Sequence, residues 1–68
     1  MTIRIVIAST DPRGNRFFYA GRGRWSDEYP DAIKYRTSTL AKDRLKLGKA
    51  HHPDNLTWQA AQVERVTT

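Results

Sequence analysis

The stretch IRIVIASTDPRGNRFFYA, residues 3–20, decides the fold because it contains two extended segments joined by a strong turn signal. Isoleucine occupies every second position from residue 3 to residue 7, and this alternation predicts a half-buried strand. The side chains expected to face the core are those of Ile3, Ile5 and Ile7. The tetrapeptide DPRG, residues 11–14, has aspartate, proline and glycine where a type I turn favours them, so a β-hairpin is predicted.

The second strand of this hairpin is predicted over residues 15–20, which contain three consecutive aromatic residues. Phe17 and Tyr19 share one face of such a strand and Phe18 takes the other, because strand side chains alternate. These rings are among the largest apolar groups of a chain that is poor in leucine and valine. We therefore expect most of them to be in the core.

Gly21 and Gly23 interrupt the strand pattern, which predicts a bulge or bend followed by an irregular stretch. Arg22 and Arg24 are expected to point outward there, and Trp25 to return to the body of the domain. Exposed rings beside cationic side chains are also what single-stranded nucleic acid binds. Between these two interpretations we favour buried rings, with the arginines of the glycine bend as the exposed groups.

The segment TSTLAKDRLKLGKA, residues 37–50, is the strongest helix candidate. It opens with hydroxyl residues that can cap free N–H groups, continues with good helix formers, and reaches Gly48 as a C-terminal signal. The residues predicted along its inner face are Leu40, Ala41, Leu45 and Gly48. The outer face is basic, and its lysines are Lys42, Lys46 and Lys49.

The last segment, residues 58–67, has no clean period, since Val63 and Val66 are three positions apart. A strand with a bulge near Glu64 would return Val66 to the inner face, whereas a terminal helix would have a poor apolar stripe and a β-branched end. We predict a closing strand. A short extra strand at residues 33–35 stays an open alternative.

These elements predict the α+β class, with a three-stranded antiparallel sheet of connectivity ββαβ, strand order 2-1-3, and one helix packed on one face. The other sheet face is expected to be partly open, with Arg4, Val6 and Phe18 on it. Residues 1–68 form one small domain by length. A homodimer is possible through the open face or a free strand edge.

Composition narrows the classes of function. The chain has 68 residues, a formal net charge of +5 and no cysteine, so disulfides and thiolate metal sites are excluded and polyanions are plausible partners. The short, Arg4-interrupted apolar run at the start predicts a strand and neither a signal peptide nor a membrane span. We therefore expect a cytoplasmic protein with no membrane association.

No constellation of residues predicts catalysis. His51, His52 and Asp54 form the one metal-like cluster, but a zinc-type site needs three or four converging ligands, and cations near the end of a helix explain the histidines more simply. The hydroxyl residues have no base at a recognisable spacing. We therefore predict that the protein is not an enzyme and uses no cofactor and no metal; a metal-dependent hydrolase is the least favoured alternative.

The order of motifs resembles that of small tailed-phage and prophage proteins, which have an aromatic strand, a basic glycine bend, and a Trp-Ser/Thr-Asp sequence before a hydroxyl-capped helix. The matching residues, within 16–66, are Trp25, Ser26, Asp27, Ala32, Tyr35, Thr37, Ala41, Val63 and Val66. The resemblance implies the ββαβ fold. It also implies stoichiometric binding to a host protein or ribonucleoprotein complex, as by inhibitors of host enzymes or anti-CRISPR proteins.

Binding to a host macromolecular complex is therefore the leading functional hypothesis, and direct binding of nucleic acid by the arginine-rich and aromatic hairpin is the alternative. The first hypothesis combines the glycine bend and Trp25 with the lysines of the helix, and the second uses the hairpin. The predicted binding residues are Arg16, Arg22, Arg24, Trp25, Lys42, Lys46 and Lys49.

Overall fold

The computed structural model describes residues 2–67 and has the predicted α+β architecture, with one antiparallel sheet and one main helix. Its elements are strands β1 (Ile3–Thr10), β2 (Arg16–Gly21), β3 (Arg24–Ser26) and β4 (Gln62–Thr67), helices α1 (Ser38–His51) and α2 (Leu56–Gln59), and a 3-10 turn at Tyr29–Asp31. The four strands lie in the order β3-β2-β1-β4. The prediction of three strands is therefore wrong in count, and the full order differs because β3 is added beside β2; the three predicted strands lie as β2-β1-β4.

The first turn forms as its sequence predicts. The Gly14 amide donates to the carbonyl of Asp11 at 3.0 Å, and Gly14 has a φ of 89°. The Asp11 carboxylate accepts hydrogen bonds from the amides of Arg13 and Asn15 at 2.9 and 2.8 Å. Asp11 thus stabilises the turn through hydrogen bonds to both its backbone carbonyl and its side chain.

The extra strand is β3, which pairs antiparallel with β2 through a second tight hairpin. Arg22 and Gly23 have positive φ angles of 54° and 74°, the combination that defines a type I′ turn. The predicted bulge is present, because the pairing register shifts between Tyr19 and Gly21. The irregular stretch expected after the glycines is instead this short strand.

Residues 33–35 do not form a strand, but they extend the hydrogen bonding of the sheet. The Ile33 amide donates to the Tyr19 carbonyl at 3.0 Å, and the Tyr35 amide donates to the Ile5 carbonyl at 2.7 Å. Because these acceptors belong to β2 and β1, the segment connects the two strands beyond the end of their own ladder. Tyr35 and Ile5 thereby form an isolated bridge.

Helix α1 begins where the hydroxyl residues predict. The Thr37 hydroxyl accepts a hydrogen bond from the Leu40 amide at 3.2 Å, which caps the first turn. The helix does not end at Gly48, however, and continues to His51. Gly48 is an interior residue there, since a β-carbon at this position would lie within 2.5 Å of three ring carbons of Trp58.

The closing segment differs from the prediction in two respects. Trp58 belongs to α2, which the Asn55 side chain caps by accepting from the Trp58 amide at 3.2 Å, so the strand begins only at Gln62. The register between β4 and β1 is continuous, without a bulge near Glu64. Val63 and Val66 therefore face opposite sides of the sheet.

The main core lies between the sheet and the helices. It consists of Ile5, Ile7, Tyr19, Ala41, Trp58 and Ala61. Ile3 and Leu40 were expected among these residues, but they are 47% and 51% exposed, because Ile3 lies at the end of β1 and Leu40 lies on a flank of α1. The pattern of apolar residues therefore identifies the buried side chains in the middle of β1 and α1 but not at their ends.

The second sheet face is more covered than predicted, since Val6 is fully buried. Phe18 and Tyr29 meet edge to face with their ring centroids 5.8 Å apart. Arg16 lies over the Phe18 ring and forms an ion pair with Glu64. No helix within residues 2–67 is long and apolar enough to cross a membrane.

Candidate nucleic-acid interface

A cationic cleft lies where the β2–β3 hairpin approaches α1. Its volume is about 400 Å³ and it is open to solvent. The lining residues are Tyr19, Ala20, Gly21, Arg22, Arg24, Ile33 and Arg44. Three of them are arginines and none is acidic, so the cleft is suited to an anion.

Arg22 and Arg24 reach this cleft because of the tight turn between β2 and β3. Both are exposed, as the sequence predicts. Arg22 has a φ of 54°, a left-handed conformation that asparagine and glycine adopt far more readily than arginine. The turn thus has an arginine at a position whose positive φ favours asparagine or glycine.

Arg44 is the residue of the cleft that sequence reasoning missed. Its Nη2 donates to the hydroxyl of Tyr19 at 2.7 Å, and its guanidinium carbon lies 5.5 Å from the centre of the Tyr19 ring. This hydrogen bond to Tyr19 raises the pKa of Arg44 above its ordinary value. The signal was its spacing, because Arg44 is three residues after Ala41 and four before Gly48, next to the buried face of the helix.

The predicted lysines lie elsewhere on the protein. At about 100° per residue, Lys42 and Lys46 are each about 160° around the helix axis from Arg44. Lys49 is half-buried, and its Nζ donates to the carbonyl of Gln59 at 3.3 Å. The structure thus separates these lysines from the arginine cleft.

Arg16 and Trp25 have different surroundings. Arg16 lies at the far end of β2 from the cleft, in its ion pair with Glu64. Trp25 is half-buried and packs edge to face against Tyr19 and Trp58, with centroid separations of 5.5 and 5.0 Å. Of the predicted binding residues, Arg22 and Arg24 line the cleft, and Trp25 follows them in β3.

A second depression, of about 440 Å³, adjoins the cleft at the edge of β3. It is lined by Ala20, Arg24, Trp25, Ser26 and Asp31. Ala20 and Arg24 line both cavities. The Ser26 hydroxyl donates to Oδ2 of Asp31 at 2.8 Å, which fixes that carboxylate at the rim.

A groove of a different kind lies at the opposite end of β2, between the first hairpin and α2. Its volume is about 470 Å³, and its lining residues are Ser9, Thr10, Asp11, Pro12, Phe17, Leu56, Thr57, Gln59 and Ala60. Leu56 is 78% exposed at its edge, and Phe17 is half-buried. The Ser9 hydroxyl is already bonded to the Thr57 carbonyl at 2.7 Å, so the remaining surface is mainly apolar.

The histidines at the end of α1 do not converge on a site. The His52 ring stacks on Trp58 with a centroid separation of 6.1 Å, and His51 is exposed. Within residues 2–67 there is no group of three or more His, Cys, Asp or Glu side chains arranged to hold a metal ion. His52 therefore has a packing partner in the aromatic cluster.

Comparisons of this chain with models of known protein families, with curated proteins and with solved structures find no match. The arginine cleft offers several guanidinium N–H groups on one side of the protein, an arrangement that binds phosphate or carboxylate oxygens.

Proposed function

We propose that this protein binds nucleic acid and that the cleft between the β2–β3 hairpin and α1 holds its phosphate backbone. The single observation that supports this most is the convergence of Arg22, Arg24 and Arg44 on a cleft without an acidic lining residue. Guanidinium groups match the oxygens of a phosphate in geometry and in charge. The binding is stoichiometric and has no catalytic step.

The charge distribution of the whole chain supports the same partner. The net charge is +5, and in the part of the chain that the structure describes one ion pair forms, between Arg16 and Glu64. Most cationic side chains are therefore available to displace the counterions that surround a polyphosphate backbone. Such binding weakens as salt is added, because released counterions rebind at high concentration.

The preorganisation of Arg44 favours the cleft, and not the other cationic surfaces, as the site that binds phosphate. Its guanidinium is held by the buried Tyr19, which is 1% exposed, so little side-chain freedom is lost when an anion binds. Lys42 and Lys46 are exposed, and no hydrogen bond or ion pair holds their ammonium groups within residues 2–67. A phosphate is therefore expected to prefer the cleft to the lysine side of α1.

Fluorescence anisotropy with a labelled single-stranded oligonucleotide tests this proposal. The affinity is expected to fall linearly with salt on a log-log plot. The double variant Arg22→Ala/Arg24→Ala is expected to weaken binding and to reduce the magnitude of the salt slope by about two, because each removed guanidinium leaves one phosphate without a cation.

The matched control is Lys42→Ala/Lys46→Ala, which changes the net charge by the same amount on the remote flank of α1. It is expected to affect affinity much less than the arginine pair. No binding at low salt would refute the proposal. Equal decreases in affinity for the two double variants would show that general charge, and not the cleft, attracts the nucleic acid.

Stoichiometric binding to a host protein complex is a second candidate, and the apolar groove supports it. This is the function implied by the resemblance to phage proteins, including anti-CRISPR proteins and host-enzyme inhibitors. Leu56 is 78% exposed in a protein that buries its other large groups more fully, and such a residue beside an open groove suits a protein contact. Under this proposal the protein acts in the cytoplasm of a bacterial host.

The two candidates are separated by pull-down from bacterial lysate with and without nuclease. A protein partner that survives nuclease and is no longer recovered with Leu56→Asp supports the second candidate. Recovery that disappears with nuclease and is unchanged by Leu56→Asp supports the first. Thr39→Asp, an exposed substitution on α1, is the control for added negative charge.

A further inference from the structure

We propose that this protein forms a two-fold symmetric dimer in which the free edge of β4 pairs antiparallel with the β4 of a second copy. The sheet order β3-β2-β1-β4 leaves β3 and β4 at the two edges. Pairing through β4 joins two four-stranded sheets into one sheet of eight strands. This edge is opposite to the arginine cleft, so the dimer does not depend on the proposed nucleic-acid function.

The direction of the backbone groups in β4 is fixed by its neighbour β1. The Ile5 carbonyl accepts from the Tyr35 amide at 2.7 Å, on the side of β1 that faces away from β4. Ile5 and Arg65 are opposite each other in the β1–β4 ladder, so they form one of its pairs without hydrogen bonds. The N–H and C=O groups of Arg65 therefore point away from β1, and those of Val63 and Thr67 do the same because the pattern alternates.

These outward groups have no partner in the described part of the chain. No backbone hydrogen bond within residues 2–67 reaches Val63, Arg65 or Thr67 from the open side of β4. β4 also contains no proline or lysine, and its register with β1 is continuous, so several features that usually protect a sheet edge are missing. The edge strand β3 has only three residues and adjoins a bulge, whereas β4 has six. Strand addition is therefore favoured at β4.

A second copy supplies a complementary edge. A two-fold axis perpendicular to the sheet pairs β4 with itself in antiparallel orientation. When this axis passes through Arg65, the two Arg65 residues face each other and Val63 of each copy faces Thr67 of the other. Every outward N–H and C=O of these three residues then pairs across the interface.

The central pair of arginines is the unfavourable feature of this arrangement. Arg65 is exposed, so solvent and salt screen the repulsion, and one like-charged pair destabilises less than the full set of hydrogen bonds stabilises. The other facing pairs are Val63 with Thr67 and Glu64 with Val66, and neither joins like charges. The expected dimer is thus a weak one that depends on protein concentration.

The dimer places two arginine clefts on the same side of one sheet, because a two-fold axis perpendicular to the sheet keeps both copies of α1 on one face. Neighbouring strands are about 4.8 Å apart, so the two β3 strands at the outer edges are about 33 Å apart. Under the proposed function, a nucleic acid strand that reaches both clefts binds more tightly than a short one, since the second contact is intramolecular.

Sedimentation velocity over a wide range of protein concentration measures the association. The apparent mass is expected to rise from 7.8 kDa toward twice that value. In an NMR hydrogen-exchange experiment, the amides of Val63 and Arg65 are expected to exchange more slowly as the concentration rises. The amides of Glu64 and Val66, which face β1, should exchange slowly throughout. A monomer at every concentration would overturn the inference, leave the edge to a strand of another protein, and leave the proposed function unaffected.

The variant Arg65→Pro removes the central outward N–H without removing a hydrogen bond to β1, so it is expected to abolish the dimer. The matched control is Arg65→Gln, which removes the same charge and keeps the N–H. Its dimer is expected to be tighter than that of the wild type. A dimer that persists in Arg65→Pro would show that the two copies meet elsewhere and would overturn the inference.

Mixing the wild type with Arg65→Glu tests the same pairing without the proline. In the mixed dimer a carboxylate faces Arg65 across the axis, whereas each homodimer has two like charges there. The mixed dimer is therefore expected to exceed its statistical proportion by about two-fold or more. A purely statistical mixture would contradict an axis through Arg65 and overturn the proposed pairing.

Discussion

The substitution Gly48→Ala distinguishes the contribution of helix propensity to stability from the contribution of packing. Alanine in place of glycine inside a helix normally stabilises by about 1 kcal/mol. Here the added methyl group would lie within 2.5 Å of three carbons of the Trp58 ring, whereas ordinary contacts begin at 3.4 Å. The ring must therefore move, or the helix must separate from it.

The cost follows from what holds the ring in place. Trp58 is 3% exposed, and it packs against Tyr19 and Trp25 with centroid separations of 4.9 and 5.0 Å. Each such aromatic pair contributes about 0.5–1.5 kcal/mol, and overpacking a core typically costs about 1–3 kcal/mol. After subtracting the gain in propensity, we expect Gly48→Ala to lower the free energy of unfolding by about 2 kcal/mol.

Urea and thermal unfolding followed by circular dichroism measure this effect. For a chain of this length about 2 kcal/mol corresponds to a fall of about 8–16 °C in Tm. Ala50→Gly, at an exposed position in the last turn of α1, calibrates propensity alone and is expected to cost at most about 1 kcal/mol. Adding Trp58→Phe should reduce the penalty of Gly48→Ala, because the smaller ring leaves room for the methyl group. A Gly48→Ala protein as stable as the wild type would refute the packing argument.

Two further predictions concern the turns. Arg22→Asn is expected to raise the free energy of unfolding by about 0.5–1 kcal/mol, because asparagine tolerates the left-handed conformation at a φ of 54°. The same variant is expected to weaken oligonucleotide binding. Arg13→Asn, in the first turn, is the control and should leave stability nearly unchanged. The hydrogen bond from the Asn15 amide lowers the pKa of Asp11 below its ordinary value, so its stabilisation is complete above the unfolded-state pKa and disappears as the pH falls through the lower folded-state value. An NMR titration of the Asp11 carboxyl carbon that gives an ordinary pKa would contradict this.

The features that could be predicted from the sequence are those with local causes. The first hairpin follows from the residues of its own turn, and the start of α1 follows from Thr37, whose hydroxyl caps a residue three positions later. Ile5 and Ile7 face the core because a strand alternates whatever it packs against. In each case the deciding interaction lies within a few residues along the chain.

The errors have non-local causes. The local sequence predicts that the helix ends at Gly48, but this glycine packs directly against Trp58, ten residues later. The poor helical stripe around Trp58 favours a strand, yet α2 is a short helix that inserts one large ring into the core. Two glycines normally weaken a strand and so argue against β3, whereas here they form the tight turn and bulge that allow it to pair.

The same division applies to the candidate site. Arg22 and Arg24 could be identified from the glycine bend, since glycines in a turn leave the intervening side chains exposed. For Arg44 the helical spacing indicates only that it lies beside the buried face of α1; its place at the cleft depends on the contact with Tyr19, 25 residues earlier. Charge alone groups the lysines with the arginines, and charge does not specify which flank of a helix approaches the sheet.

Tyr19 connects the stability of this domain with its proposed binding function. Its ring is in the aromatic cluster with Trp25 and Trp58, and its hydroxyl holds Arg44 at the cleft. Any change that displaces Trp58, such as Gly48→Ala, is therefore expected to disturb the position of Arg44 without altering a residue of the cleft. The cleft can be preorganised in so small a protein because one tyrosine belongs to both the core and the surface. The decrease in oligonucleotide affinity in Gly48→Ala should accordingly exceed the decrease explained by the unfolded fraction alone.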